Sequence, residues 1–242
     1  MAQTLNVLFE DDDILVVNKP AGVLTIPGRQ TEESLRDVIA RLLRIEASLR
    51  LVHRLDRQTS GVLVLAKTLD AQRDLSRQWR HREVDKFYLA LVRGTPPQDE
   101  GFIDAPLAPH PRKSNLMIVP TVKGRPSQTE WSVVERFRGF ALLRCRLLTG
   151  RQHQIRVHLK YIGLPLAVDE LYGNAKPLLL SEIKRNYRPN RNRIERPLIG
   201  RLTLHAERIV FRHPRRDEKL TLDAPLPKDF KAAVNQLHKC AR

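Results

Sequence analysis

The sequence predicts an α+β protein, a mixed and mostly antiparallel sheet with flanking helices. Two observations carry that expectation. Short apolar runs bounded by turn signals recur along the chain, and stretches with helical spacing fall among them without a regular strand-helix-strand cadence. A third is length: 242 residues are enough to bury a sizeable core, and one domain over 1–242 is expected.

Taken in order, Asn6 to Phe9 and Ile14 to Asn18 flank the acidic turn Glu10 to Asp13, so the chain opens with a β-hairpin. Asp11, Asp12 and Asp13 read as turn acids, since no further metal-ligand spacing accompanies them. Leu35, Val38, Ile39, Leu42 and Leu43 repeat at helical spacing behind Thr31 or Ser34 as a cap. Val62 to Lys67 reads as a buried strand, the row Ala71, Leu75, Trp79 as a helix with Trp79 in packing, and Phe87 to Val92 as a returning strand. Gly94 to Pro111 is proline-rich and reads as a long connection. Ser127 to Phe137 and Phe140 to Leu148 form paired strands around Arg138-Gly139. Gly150 then gives way to a helix from about Gln152 to Ile162, with Arg156 in its first turns. Leu202 to Phe211 and Lys219 to Leu222 supply late strands, and Pro227 to Leu237 a closing helix.

Charge bounds the partner. Lys and Arg total 43 against 27 Asp and Glu, a net charge of +16, which suits a polyanion whose counterions are released on binding. The basic residues concentrate in 173–200, where Lys176, Lys184, Arg185, Arg188, Arg191, Arg193 and Arg196 face only Glu182 and Glu195, with Tyr187 among them. Two readings stand for that insertion: a segment ordering on RNA, or a solvated loop. No apolar stretch reaches membrane-spanning length, and no basic amphipathic anchor is visible. Only Cys145 and Cys240 are present, without C-x-x-C, and Met1 leads directly into a strand rather than a signal peptide, so a cytoplasmic address is expected.

The chemical signal is densest at His53-Arg54-Leu55-Asp56-Arg57-Gln58-Thr59-Ser60-Gly61, which runs into Val62-Leu63-Val64-Leu65-Ala66. One carboxylate stands between two arginines on a tight loop that feeds an apolar strand, fixed by a rigid element yet open to a ligand. Arg54 and Arg57 would favour its ionised form.

This string resembles the signature HRLDxxTSG of the RluA-type RNA pseudouridine synthases. Three further motifs match in order: Lys19-Pro20-Ala21-Gly22, Lys86-Phe87-Tyr88, and Gly150 to His158, similar to the family's GRxHQIRxH. The likeness covers about residues 5 to 230. It implies the family's fold, a mixed antiparallel sheet with a central RNA-binding cleft, and conversion of uridine to its C-glycoside isomer inside RNA with no cofactor. It also implies catalytic roles for Asp56, Arg156 and Tyr88. Asp56 either attacks C1′ or takes the C2′ proton; Arg156 pairs with it and holds it charged; Tyr88 packs on the uracil. Arg54 would fill the gap left by a flipped base, and Arg57, Lys19, Arg151 and His153 complete the expected substrate-binding set.

The resemblance carries three departures, one of them the basic insertion from Gly173 to Gly200, which exceeds what the core fold requires. Val168 stands before Asp169 where the family usually has glycine, which puts the local turn in question. No S4 domain precedes residue 5, which leans towards compact members that modify tRNA, or tRNA and rRNA together, and a monomer is expected. An RNA-binding module without activity is the alternative. A glycoside hydrolase would need a second acid in a matched motif, and no helix-turn-helix pattern supports a DNA regulator. His53, His153, His158 and His205 lie outside any H-E-x-x-H pattern and read as hydrogen-bonded structural histidines, with no metal expected.

Overall fold

The computed structural model describes residues 6–25, 38–39, 49–113, 115–173, 175–188 and 194–241. Two compact units are formed, Met1–Phe87 with His205–Pro225 and Tyr88–Leu204 with Leu226–Arg242.

In the first unit β1 (Asn6–Glu10) and β2 (Ile14–Lys19) make the opening hairpin. The turn is locked by Asp11, whose Oδ1 accepts the amides of Asp13 and Ile14 at 2.9 Å each. Its Oδ2 accepts from His213 Nε2 at 2.8 Å and Arg216 at 2.7 Å, and Asp13 pairs with Arg215 at 2.8 Å. Asp11, Asp13 and His213 offer ligand atoms within 4.8 Å of one another, but the chain's own cations engage both carboxylates. They act as turn acids.

The expected helix over 35–43 lies outside the described residues, apart from Val38 and Ile39, which are helical and buried. Short β3 (Arg50–Leu51) and β4 (Ser60–Ala66) follow, then α1 (Leu69–His81), capped by Thr68 Oγ1 accepting the Ala71 amide at 3.2 Å. Every residue of β4 is buried, which explains why its sequence is continuously apolar rather than alternating. Late strands β11 (Leu204–Arg212) and β12 (Lys219–Asp223) return here, giving the order β1-β2-β4-β11, with β3 on β4 and β12 on β11. β4 and β11 run parallel, pairing Ser60 with His205 and Gly61 with Ala206. A Cβ on Gly61 would lie 2.1 Å from the Ala206 carbonyl oxygen, and its φ is 120°, so only glycine fits.

The second unit takes up the chain along β5 (Asp85–Arg93) and has the order β5-β10-β9-β6. β9 (Gln128–Phe137) and β10 (Phe140–Leu147) are the paired strands expected around Gly139, whose φ is 78°. The proline-rich stretch expected to be a bare connection instead contains β6 (Glu100–Asp104) and β7 (Ala108–Pro109), the latter paired with β8 (Met117–Ile118). β6 escapes a sequence reading because Gly101 and two flanking acids dilute its pattern. That glycine is required, since a Cβ there would meet the Trp131 ring at 2.5 Å.

Helix α2 (Gln154–Tyr161) follows the Gly150 break, and α4 (Lys228–Cys240) closes the chain. Phe230, Ala233, Val234 and Leu237 of α4 pack with Leu91, Phe137, Phe140 and Leu142 in one core. The basic insertion joins that core through Leu178, Ile183 and Ile199. Leu178 and Ile199 form a bridge, the short α3 (Leu180–Ile183) follows, and Glu182 pairs with Arg93 at 2.9 Å. Lys184, Arg185, Arg188 and Arg196 stay exposed; Arg191 and Arg193 lie outside the described residues. No helix among the described residues is long and apolar enough to cross a membrane.

Candidate active site

The Asp56 loop is braced at its flanks. Thr59 donates its amide to the Asp56 carbonyl at 3.1 Å, closing the turn. Buried Thr25 donates to the Leu55 carbonyl at 2.8 Å and accepts the Leu55 amide at 3.3 Å. Lys19-Pro20-Ala21-Gly22 lies against the same loop: Gly22 donates its amide to the Arg57 carbonyl at 2.8 Å, and Arg57 Nε donates back to the Gly22 carbonyl at 3.0 Å.

Lys19 corrects an expectation. Foreseen as a substrate contact, it is fully buried at 0% exposure, and its ammonium donates to the carbonyls of Pro20, Val23 and Arg57 at 2.9, 2.9 and 3.1 Å. Three carbonyls satisfy the three protons of an ammonium, so this lysine braces the loop. Asp56 is partly exposed beyond the braced flanks, and Arg54 is exposed.

His53 and His205 are structural, as expected. His53 Nε2 accepts the Val64 amide at 2.9 Å, and its ring stacks on Trp79 at 4.7 Å. Desolvation, then the nearby Lys86 charge, pushes it down to about 3. His205 bonds Ser60 Oγ at 2.9 Å and the Ala224 carbonyl at 3.0 Å.

In the second unit the turn from β10 into α2 is organised by Gln154, which sequence reasoning missed. Its buried amide accepts from Thr149 Oγ1 at 2.8 Å and the Arg151 amide at 3.0 Å, and donates to the Gln128 carbonyl at 2.9 Å and Thr129 Oγ1 at 3.0 Å. All four hydrogen-bonding positions of the amide are thereby used. Arg151 Nε reaches the Pro126 carbonyl at 3.4 Å. His153 enters the helix at φ 55°, and its Nδ1 lies 2.8 Å from the Tyr172 hydroxyl. His158, held low by desolvation, bonds Thr129 and Ala105.

Arg156 makes a two-pronged pair with Asp169, Nε to Oδ2 at 2.9 Å and Nη2 to Oδ1 at 2.7 Å. Asp169 Oδ1 also accepts the amides of Leu171 and Tyr172. Val168 causes no strain there: it is buried in the core at a negative φ, and its amide donates to Thr203 Oγ1 at 3.2 Å. Tyr88, at the start of the second unit, is 9% exposed.

Comparison with known proteins agrees with this architecture. The sequence model of the RNA pseudouridylate synthases matches residues 13–161, more than half of the chain. The chain is 38% identical over 240 residues to ribosomal large subunit pseudouridine synthase D of Nitrosomonas europaea, covering 96% of this chain and 65% of that protein. The Neisseria meningitidis protein of the same name is 38% identical and covered over 59% of its length. The chain thus spans less than two thirds of either. Ribosomal large subunit pseudouridine synthase C of Escherichia coli is 40% identical over 234 residues, 96% of this chain and 69% of that one. Among solved structures, human RNA pseudouridylate synthase domain containing 1 superimposes with a TM-score of 0.73 at 27% identity, covering 93% of this chain and 84% of that one. With the motifs in order, the fold matched and the relatives covering nearly the whole sequence, the chain belongs to the RNA pseudouridylate synthase family.

Proposed function

We propose that this chain isomerises uridine to pseudouridine within RNA, with Asp56 as the catalytic carboxylate. The observation that carries the reading is the Asp56 loop itself. Its flanks are pinned by Lys19, Thr25 and Gly22, and the acid between them is partly exposed. A carboxylate preorganised in this way needs little reorganisation when charge develops at the sugar.

In the reaction the N1–C1′ bond of uridine breaks, the uracil turns, and a C5–C1′ bond forms while the C5 proton leaves to solvent. Asp56 either adds to C1′ or removes the C2′ proton. Arg156 takes the part that the family's HQIR motif gives its arginine, and Tyr88 packs on the detached base. Arg54, Arg57, Arg151 and His153 contact the RNA, with Arg54 occupying the stack after the base flips. The net charge of +16 supports an RNA partner. The names of the similar bacterial proteins make large-subunit ribosomal RNA the first substrate to test, with tRNA beside it. The assignment is to a cytoplasmic monomer that needs no cofactor.

Tritium at uridine C5 tests this, because uridine and pseudouridine have the same mass while bond formation at C5 ejects the label into water. Wild-type protein should release tritium from unmodified large-subunit rRNA or tRNA without added metal or nucleotide, and Asp56→Asn should not, while retaining RNA affinity. Release by the Asn variant at the wild-type rate defeats the assignment of Asp56. No release by wild type from either RNA supports a binding module without activity.

A further inference from the structure

The hairpin of β7 and β8 is too small to hold itself. Each strand has two residues, and an isolated two-stranded ladder is marginal in water. Its tip nevertheless exposes Arg112 and Lys113. What fixes it lies outside the hairpin: the Met117 amide donates to the Tyr172 hydroxyl at 2.7 Å, and Leu116 and Met117 pack with Leu107, Val157 and Tyr172.

The same hydroxyl lies 2.8 Å from His153 Nδ1. A hydroxyl can donate its own proton and accept two more, so this one holds the Met117 amide and the His153 ring together. The other side of Tyr172 serves Arg156. The guanidinium carbon sits 5.0 Å from the ring centroid, and the Tyr172 amide donates at 3.1 Å to Asp169 Oδ1, the oxygen that Arg156 Nη2 reaches. One side chain, 7% exposed, therefore touches the hairpin, His153 and Arg156.

We propose that Tyr172 is a positioning residue with two separable roles: its ring seats Arg156 for the chemical step, and its hydroxyl seats the hairpin and His153 for RNA docking. This rests on the isomerase reading above and assigns parts of that site. Tyr172→Phe removes the hydroxyl and keeps the ring; Tyr172→Leu removes both. In the full chain, Tyr172→Phe should speed hydrogen exchange of the Met117 amide and raise KM for RNA about fivefold to tenfold, as loss of a buried hydrogen-bond partner does, with kcat within about twofold. Tyr172→Leu should lower kcat as well, by about tenfold.

Wild-type exchange at Met117 with wild-type KM in Tyr172→Phe would overturn the hydroxyl's role. A kcat loss in Tyr172→Phe equal to that of Tyr172→Leu would overturn the division of roles. If Tyr172→Leu does not fold, the Phe variant decides alone through its split between KM and kcat. If wild type releases no tritium, the isomerase reading has failed rather than this one. Exchange at Met117 and RNA affinity by titration then report on the hydroxyl without turnover.

Discussion

Arg156 meets Asp169 edge to edge through two hydrogen bonds of 2.9 and 2.7 Å, with the side chains 7% and 1% exposed. In so dry a setting the pair is held by geometry as much as by charge, because both ions have lost their water. Two amides, those of Leu171 and Tyr172, add to the fork on the carboxylate side and fix it to the backbone. Asp169 therefore sets where the guanidinium of the HQIR motif can point.

Removing one partner should cost more than removing both. Asp169→Asn takes the two-pronged carboxylate from a buried guanidinium and should destabilise the fold by about 3 kcal/mol. The double variant Arg156→Met, Asp169→Leu should recover much of that stability in urea unfolding, since apolar groups of similar size replace the pair. Its tritium release should stay absent. A double variant no more stable than Asp169→Asn would sink the account of the pair, and one that regained activity would remove Arg156 from the chemistry.

The basic insertion is both packed and charged, and the two properties are testable apart. Ile183 is 2% exposed in the α4 core while Lys184, Arg185 and Arg188 face solvent. Replacing those three cations by Ala should leave the urea midpoint unchanged. If all three contact phosphates, it should reduce the slope of log affinity against log salt by about 2, at roughly 0.7 per contact on single-stranded RNA. An unaltered slope would confine the insertion to packing.

Hairpins and helices were legible where local chemistry is strong: the Arg138-Gly139 turn between β9 and β10, the Ala71, Leu75, Trp79 row of α1, and the unbroken apolar run of β4. Strand β6 was not, because its glycine answers to Trp131 on a neighbouring strand, a contact no local window contains. Asp56 stood out between its two arginines on the loop before β4, and Arg156 through its resemblance to the family's HQIR motif. The groups that hold the site did not. A lysine is among the least buried residues, so the enclosure of Lys19 by three carbonyls has no sequence signature. Beyond its place after Val168 in the family pattern, Asp169 carried one local signal, a lone acid closing the apolar run Leu166, Ala167 and Val168. An acid there requires a cationic or amide partner.

Desolvation of the His53 ring, which is packed on Trp79, predicts a specific acid sensitivity. Its folded value is lowered to about 3, by desolvation first and then by Lys86, while the unfolded chain retains the ordinary value near 6.5. Between those values the unfolded state binds the extra proton and the folded state does not, so stability is full above about pH 6.5 and is lost as pH falls towards 3. At pH 5 the loss from this one ring should be about 2 kcal/mol relative to pH 7.5. His158, lowered in the same direction, adds to it. Urea unfolding at the two pH values measures the difference, and His53→Gln should shrink it because glutamine takes no proton. The variant will be less stable at both pH values, having lost the stack on Trp79; the comparison is between its own two midpoints. An equal pH dependence in wild type and His53→Gln would mean that His53 titrates normally in the folded protein.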